Sequence, residues 1–327
     1  MAEEYVVTVL LFERFANVLT EEMNKLALKY PQLQISCFLD FNDFKESTHW
    51  GRTNILVLHF RKQSDVDETL QNNPIKWVHS ITSGVDSYIS SEIMKSMNIP
   101  LTSSKGAYDC GMAEWCMTVM LYFQKQMKVL FEQQNNHIYK LFHMPTLYGT
   151  TLVILGYGSI GKYVAKLAKG FGMRIIGIKQ TASEPDEYAD EIVETCRLHE
   201  FLPQADFLVM ALPNIPSTEN IIGAQQLYLM KKSAVLINVG RGANLDEDAL
   251  IDALTNGNLK GAALDACKIE PIPQNSRLWD TSNIILSPHN CAVVSNVIEL
   301  SSLCFEKHLL SFFDGNLKST VDFNKGY

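Results

Sequence analysis

Three segments of this 327-residue chain each set a polar group directly behind an apolar run. They are Leu236-Ile237-Asn238-Val239-Gly240-Arg241-Gly242, Gly261-Ala262-Ala263-Leu264-Asp265-Ala266-Cys267-Lys268-Ile269-Glu270-Pro271 and Ile284-Ile285-Leu286-Ser287-Pro288-His289-Asn290. An arginine holds a carboxylate through two parallel hydrogen bonds and keeps its charge at any relevant pH. A histidine titrates near neutrality, so it can protonate a developing alkoxide and recover the proton. A carboxylate bonded to that histidine fixes its tautomer and favours its acid form. Arg241, His289 and Glu270 suit these three jobs, the chemistry of a carbonyl group carried by a small acid. Each alone has a plainer reading: a surface ion pair, a satisfied loop histidine, a residue before the turn at Pro271. What joins them is their placement behind successive strands, because open α/β sheets bind ligands at the carboxyl ends of their strands.

Upstream lies Leu152-Val153-Ile154-Leu155-Gly156-Tyr157-Gly158-Ser159-Ile160-Gly161, a strand entering GxGxxG, followed by the helical Lys162–Lys169. Its glycines serve a tight turn, room for a pyrophosphate and close helix–strand packing. The helix N-terminus offers unpaired N–H groups to the phosphates. NAD-preferring sites usually carry Asp or Glu at the end of the next strand, to hold the ribose hydroxyls. Here Lys179, Gln180 and Thr181 stand there. A lysine cannot accept those bonds but attracts a 2′-phosphate, and a charge pair at ~4 Å is worth ~4 kcal/mol at an effective dielectric near ~20. The expected cofactor is therefore NADP, with NAD possible; the alternative is a solvated Lys179 that plays no part.

The elements that must hold these groups come in two alternating series. Tyr5–Phe12, Leu33–Leu39, Asn54–Phe60 and Lys76–Ile81 read as buried strands, and Leu19–Tyr30 has helical spacing. Thr151–Leu155, Met173–Ile178, Asp206–Leu212, Ala234–Val239, Gly261–Leu264 and Asn283–Leu286 form the second series, and Val293–Phe313 reads as a terminal amphipathic helix. This predicts an α/β protein of two doubly wound parallel-sheet units. Between them Asp109–Leu130 reads as one long helix, apolar nearly all round. Such a helix is buried on several sides, by domain packing, by a second subunit or within one subunit's core.

Length alone suggests two domains. A net charge of -8 argues against nucleic acid as partner. No apolar run reaches the ~18–20 residues that span a bilayer, and the acidic start lacks a secretory n-region. The seven cysteines are odd in number and never spaced as CxxC, which fits reduced thiols in the cytoplasm. No His/Asp/Glu cluster has ligand spacing, so no metal is expected.

In order along nearly the whole chain, Gly156–Gly161, Ala211-Leu212-Pro213 with Thr218, Asn238–Gly242, Leu264-Asp265 with Glu270-Pro271, and Ser287-Pro288-His289 resemble the D-isomer-specific 2-hydroxyacid dehydrogenases. With Lys179, the chain is similar to their NADP-preferring, glyoxylate/hydroxypyruvate reductase-like branch. The resemblance implies reduction of a 2-keto acid to the D-2-hydroxy acid, with Arg241, Glu270 and His289 as the catalytic set. Cofactor contacts are implied at the glycine loop, Leu212, Pro213, Thr218, Val239, Gly240, Arg241 and Asp265. Substrate contacts are implied at Ser83, Gly84 and Val85, joined by Arg241 and His289. The family places a Rossmann cofactor domain, here 105–292, inside a flavodoxin-like substrate domain, here 1–104 with 293–327. It also places the 109–130 helix at a homodimer interface. The same fold serves dinucleotide-sensing corepressors, which is the rival reading. Asn290 and Cys291 depart from the small residues commoner after the histidine.

Overall fold

A computed structural model describes residues 3–59, 61–86, 88–323 and Gly326. The valine-rich run Tyr5–Leu10 forms β1, buried along its length after Tyr5, as an inner strand of a parallel sheet covered on both faces must be. Leu33–Phe38 (β2) and Ile55–Leu58 (β3) flank it, and Trp77–Ser80 (β4) and Leu101–Ser103 (β5) extend the sheet. All neighbours are parallel, in the order β2-β1-β3-β4-β5 of flavodoxin-like sheets. Ala16–Lys29 (α1) buries Ala16, Leu19, Met23 and Leu26 as one stripe. Phe41–Glu46 (α2), Gln63–Asn72 (α3) and Glu92–Met97 (α4) complete the crossovers, with Asp40 and Ser91 accepting first-turn N–H groups as caps.

A second unit runs from Asp109 to Val293, while the chain up to Tyr108 and from Val294 onward makes the first. Asp109–Gln124 (α5) and Met127–Asn135 (α6) lead into Thr151–Leu155 (β6), Ser159–Gly170 (α7), Arg174–Lys179 (β7), Glu191–Glu194 (β8) and the short Leu198–Phe201 (α8). Phe207–Met210 (β9), Ala224–Leu229 (α9), Val235–Asn238 (β10), Glu247–Thr255 (α10), Gly261–Leu264 (β11) and Ile284–Leu286 (β12) follow. The parallel order is β12-β11-β10-β9-β6-β7-β8, so the winding reverses between β6 and β9. That is the point where an open α/β sheet leaves a crevice. Val297–Phe313 (α11) packs in the first unit, where Phe305 stacks on Trp77 at 5.0 Å and Glu306 meets Lys29 at 2.7 Å.

The expected single helix at 109–130 is two helices. Gln126 adopts a left-handed conformation (φ 50°) and ends the first run. The side chains of Gln124, Lys125 and Gln126 all donate to backbone carbonyls of the segment 143–146, at 2.6, 2.9 and 2.8 Å. Tertiary partners for a polar QKQ triplet therefore set the break, which no Gly or Pro announces. The apolar ring seen in sequence is the overlay of two helices of different phase. Met112, Cys116, Val119 and Phe123 are buried, whereas α6 buries none of its residues. The terminal helix likewise starts at Val297, four residues later than expected. β5 and β8 were not among the expected strands: one has three residues, the other is an edge strand with glutamates at both ends. Phe60, the expected end of the third strand, lies outside the described residues.

Candidate active site

β6 delivers the chain to Gly156, which has φ +101° and sits so close to the Ala211 carbonyl that a side chain there would collide with it. A Cβ at Gly161 would meet the Gly156 carbonyl oxygen at 2.5 Å, so helix and strand touch at that point. Gly158 differs: a Cβ there would meet nothing within 4 Å. Open space therefore stands before the first turn of α7, whose backbone dipole favours an anion. This is the shape a dinucleotide pyrophosphate needs, and the residues fit such a cofactor. Tyr157 is 2% exposed, Ile160 is half-buried, and Ser159 donates its hydroxyl to Asp109 at the start of α5. Lys179 ends β7 half-buried; among the described residues it forms no ion pair. Gln180 and Thr181 follow it, exposed.

On the other side of the winding reversal, β9 ends at Met210 and leads into Leu212 and Pro213. Thr218 donates to the Pro213 carbonyl at 2.7 Å and is buried. Asn244, absent from the expected site, links this loop to the next. Its amide nitrogen donates to the carbonyls of Pro213 (3.1 Å) and Thr218 (3.2 Å), and its oxygen accepts the Arg241 N–H at 3.1 Å. Asn238, 0% exposed, accepts the Gly240 N–H and donates to the Arg241 carbonyl, both at 3.0 Å. Val239, buried, and Gly240 are thereby held in one backbone path. Two buried asparagines thus hold the backbone that carries Arg241, whose guanidinium donates to the Gly240 carbonyl at 2.9 Å. Asn238 ends β10 inside a motif visible in sequence, whereas Asn244 lies in a turn, where asparagine is common, so sequence alone does not single Asn244 out.

β11 and β12 bring the remaining groups together. Asp265, 2% exposed, uses Oδ1 to accept the Ser287 hydroxyl (2.6 Å) and the N–H groups of Asn290 (2.8 Å) and Cys291 (3.0 Å). Its backbone carbonyl accepts the His289 N–H at 3.0 Å. His289 is held in a left-handed conformation, φ 56°, which a residue other than glycine adopts only when its surroundings impose it. Its Nδ1 lies 2.9 Å from Glu270 Oε2, and Glu270 Oε1 accepts the Cys267 N–H at 2.8 Å. One carboxylate therefore orients the ring while the other fixes its loop.

Burial raises the Cys291 thiol far above its ordinary range, Asp265 adds to this, and the charge of Arg241 opposes it. Burial likewise pushes Cys267 up to about 12. Neither is a thiolate near neutrality. Ser83, Gly84 and Val85 lie in the first unit, beyond the carboxyl end of β4, where the Thr82 hydroxyl donates to the Gly84 carbonyl at 2.9 Å. Among the described residues no group of His, Cys, Asp and Glu is placed to hold a metal, and no helix is long and apolar enough to cross a membrane.

Residues 117–291 match the family described as D-isomer specific 2-hydroxyacid dehydrogenase, NAD binding domain. A glyoxylate reductase of Thermococcus gammatolerans is 38% identical over 175 residues, 54% of this chain and 52% of that protein. A D-3-phosphoglycerate dehydrogenase of Methanocaldococcus jannaschii is 37% identical over 188 residues, 56% of this chain and 34% of that protein. The chain thus spans about half the length, or less, of these curated relatives. A D-isomer specific 2-hydroxyacid dehydrogenase family protein from Aeromonas salmonicida superposes with a TM-score of 0.85 at 28% identity, over 98% of this chain and 100% of that one. The NADPH-dependent glyoxylate/hydroxypyruvate reductase of Sinorhizobium meliloti, solved with NADP and sulfate, gives 0.84 at 25% identity, over 99% and 100%. With the family match covering more than half of its length, this chain belongs to the D-isomer specific 2-hydroxyacid dehydrogenases.

Proposed function

We propose that this protein reduces a small 2-keto acid to the D-2-hydroxy acid with a nicotinamide cofactor, NADPH in preference to NADH. The observation that carries this reading is the Glu270–His289 pair, held beside the carboxyl ends of β11 and β12 in the unit that bears the glycine loop. Hydride is what the cofactor contributes when bound. The first turn of α7 would hold the pyrophosphate, and Lys179 would meet the 2′-phosphate. Leu212, Pro213, Thr218, Val239, Gly240 and Asp265 line the rest of the cofactor path. Arg241 anchors the substrate carboxylate. His289 gives its Nε2 proton to the carbonyl oxygen as charge develops there, and Glu270 keeps the Nδ1 proton in place.

On this reading the Asp109–Val293 unit is the cofactor domain and the other unit the substrate domain. A second copy of the chain covers α6 and the stretch after it, where Phe131, Ile138, Leu141 and Tyr148 stand 51%, 51%, 95% and 79% exposed. The compartment is the cytoplasm, supported by seven cysteines that are all free thiols.

The test follows NADPH, and separately NADH, by absorbance with glyoxylate, hydroxypyruvate and a longer 2-keto acid. Consumption by the wild type and a loss of about 10²–10⁴-fold in His289→Ala is the expected result. Dinucleotide binding with no turnover across the panel would overturn the reading.

A further inference from the structure

Tyr157, between the first two glycines of the loop, packs its ring against Gly177 of β7, where a Cβ would meet it at 2.5 Å. Its hydroxyl donates to Asp186 Oδ1 at 2.8 Å. Asp186 lies in the stretch 180–190 that joins β7 to β8 without helix or strand. The same oxygen accepts the N–H groups of Tyr188 and Ala189 at 3.0 and 3.1 Å. Oδ2 meets Nζ of Lys162, in the first turn of α7, at 3.1 Å, and that ammonium lies 5.8 Å from the centre of the Tyr157 ring. Every residue from Gln180 to Pro185 is exposed, and Asp186 is half-buried. Burial opposes ionisation of Asp186, yet the Tyr157 hydroxyl, the two N–H groups and Lys162 hold its carboxyl down at about 2. Its negative charge is therefore spent on the protein.

We propose that Tyr157 and Asp186 form a latch that ties the 180–185 stretch to the phosphate-binding loop, and that this latch sets the discrimination between cofactors with and without a 2′-phosphate. The inference rests on the dinucleotide reading above and deepens it. Lys179 supplies a positive charge at one end of the stretch. The latch places the other end and turns the Asp186 carboxylate inward, onto Lys162. An unlatched Asp186 leaves the stretch unplaced and is free to repel a phosphate dianion, which weakens the selection. Tyr157 and Asp186 are thus positioning residues, acting through the segment they hold.

The test is equilibrium binding of NADPH and NADH by nucleotide fluorescence for wild type, Tyr157→Phe, Asp186→Ala and the double variant. Tyr157→Phe keeps the ring that covers Gly177 and removes only the hydroxyl. Each single variant is expected to raise the NADPH Kd about tenfold, and the NADH Kd less than about threefold. The double variant is expected to be no weaker than the worse single one, since both break the same contact. Equal loss of both nucleotides, or no change in either, would overturn the latch. A wild type that binds neither nucleotide overturns the dinucleotide reading itself, and the inference with it, and so is told apart from failure of the latch.

Discussion

Glu270 spends both carboxylate oxygens within its own loop system, one on His289 Nδ1 at 2.9 Å and one on the Cys267 N–H at 2.8 Å. The histidine ring is thereby held by a group that is itself held. Glu270→Gln keeps the shape and one hydrogen bond while removing the charge that stabilises an imidazolium. The expected outcome is a kcat lower by about 10²-fold with KM altered far less, read from steady-state kinetics. A kcat within twofold of the wild type would remove Glu270 from the catalytic set.

Asp265 holds the His289 loop through three donors to a single buried oxygen. Asp265→Ala leaves those donors without their acceptor. A loss of about 2–4 kcal/mol is expected from denaturant unfolding, along with most of the activity, because the loop presents the histidine. Retained activity in a destabilised protein would show that the loop keeps its shape without the carboxylate.

Lys179 ends β7 where an acid would favour NAD. Lys179→Asp is expected to lower the NADPH to NADH preference in kcat/KM by about 10²-fold, the scale of one charge reversal near a phosphate. An unchanged ratio would place the selectivity elsewhere.

His59 is 1% exposed, stacked on Phe15 at 5.7 Å and edge-on to Phe12 at 6.0 Å. Burial first, and then the charge of Arg61, lower its pKa to about 4 from an ordinary 6.5. The unfolded chain takes up this proton below about 6.5 and the folded chain does not until about 4, so folding is penalised across that window. His79, fully buried beside His308, shifts in the same direction. Stability is therefore expected to fall as pH drops from 6.5 toward 4, by about 1.4 kcal/mol per pH unit for His59. Urea midpoints at pH 7.5 and 5 should differ less in His59→Gln than in the wild type.

The exposed apolar side chains after α6 are expected to meet a second copy. Light scattering should give twice the chain mass for the wild type and one chain mass for a Leu141→Asp, Ile138→Asp variant. A wild-type monomer at micromolar concentration would remove this interface.

How much of this was legible in the residues follows from the range of each signal. The strands behind Arg241, Asp265 and His289 are local apolar runs, so Gly261–Leu264 has the bounds read from sequence and the others differ by few residues. GxGxxG is local too, because at Gly161 collision with the loop's own Gly156 carbonyl excludes larger residues. Gln126 was not legible: its left-handed turn depends on carbonyls 17 and more residues away. Asp186 and Asn244 look like ordinary loop residues until the fold brings Tyr157 to the one and the Pro213 and Thr218 carbonyls to the other, within 3.2 Å.

By itself the sequence determined the two alternating series, the glycine loop and the identity of each polar group behind a strand, since these depend on side-chain type and short spacing. The residues already paired Glu270 with His289; only the tertiary structure decided that Asp265 holds the histidine's loop. Glu270 and Asp265 are the same functional group a few residues apart, and separate partners on β12 and its loop make one orient a ring and the other hold a backbone.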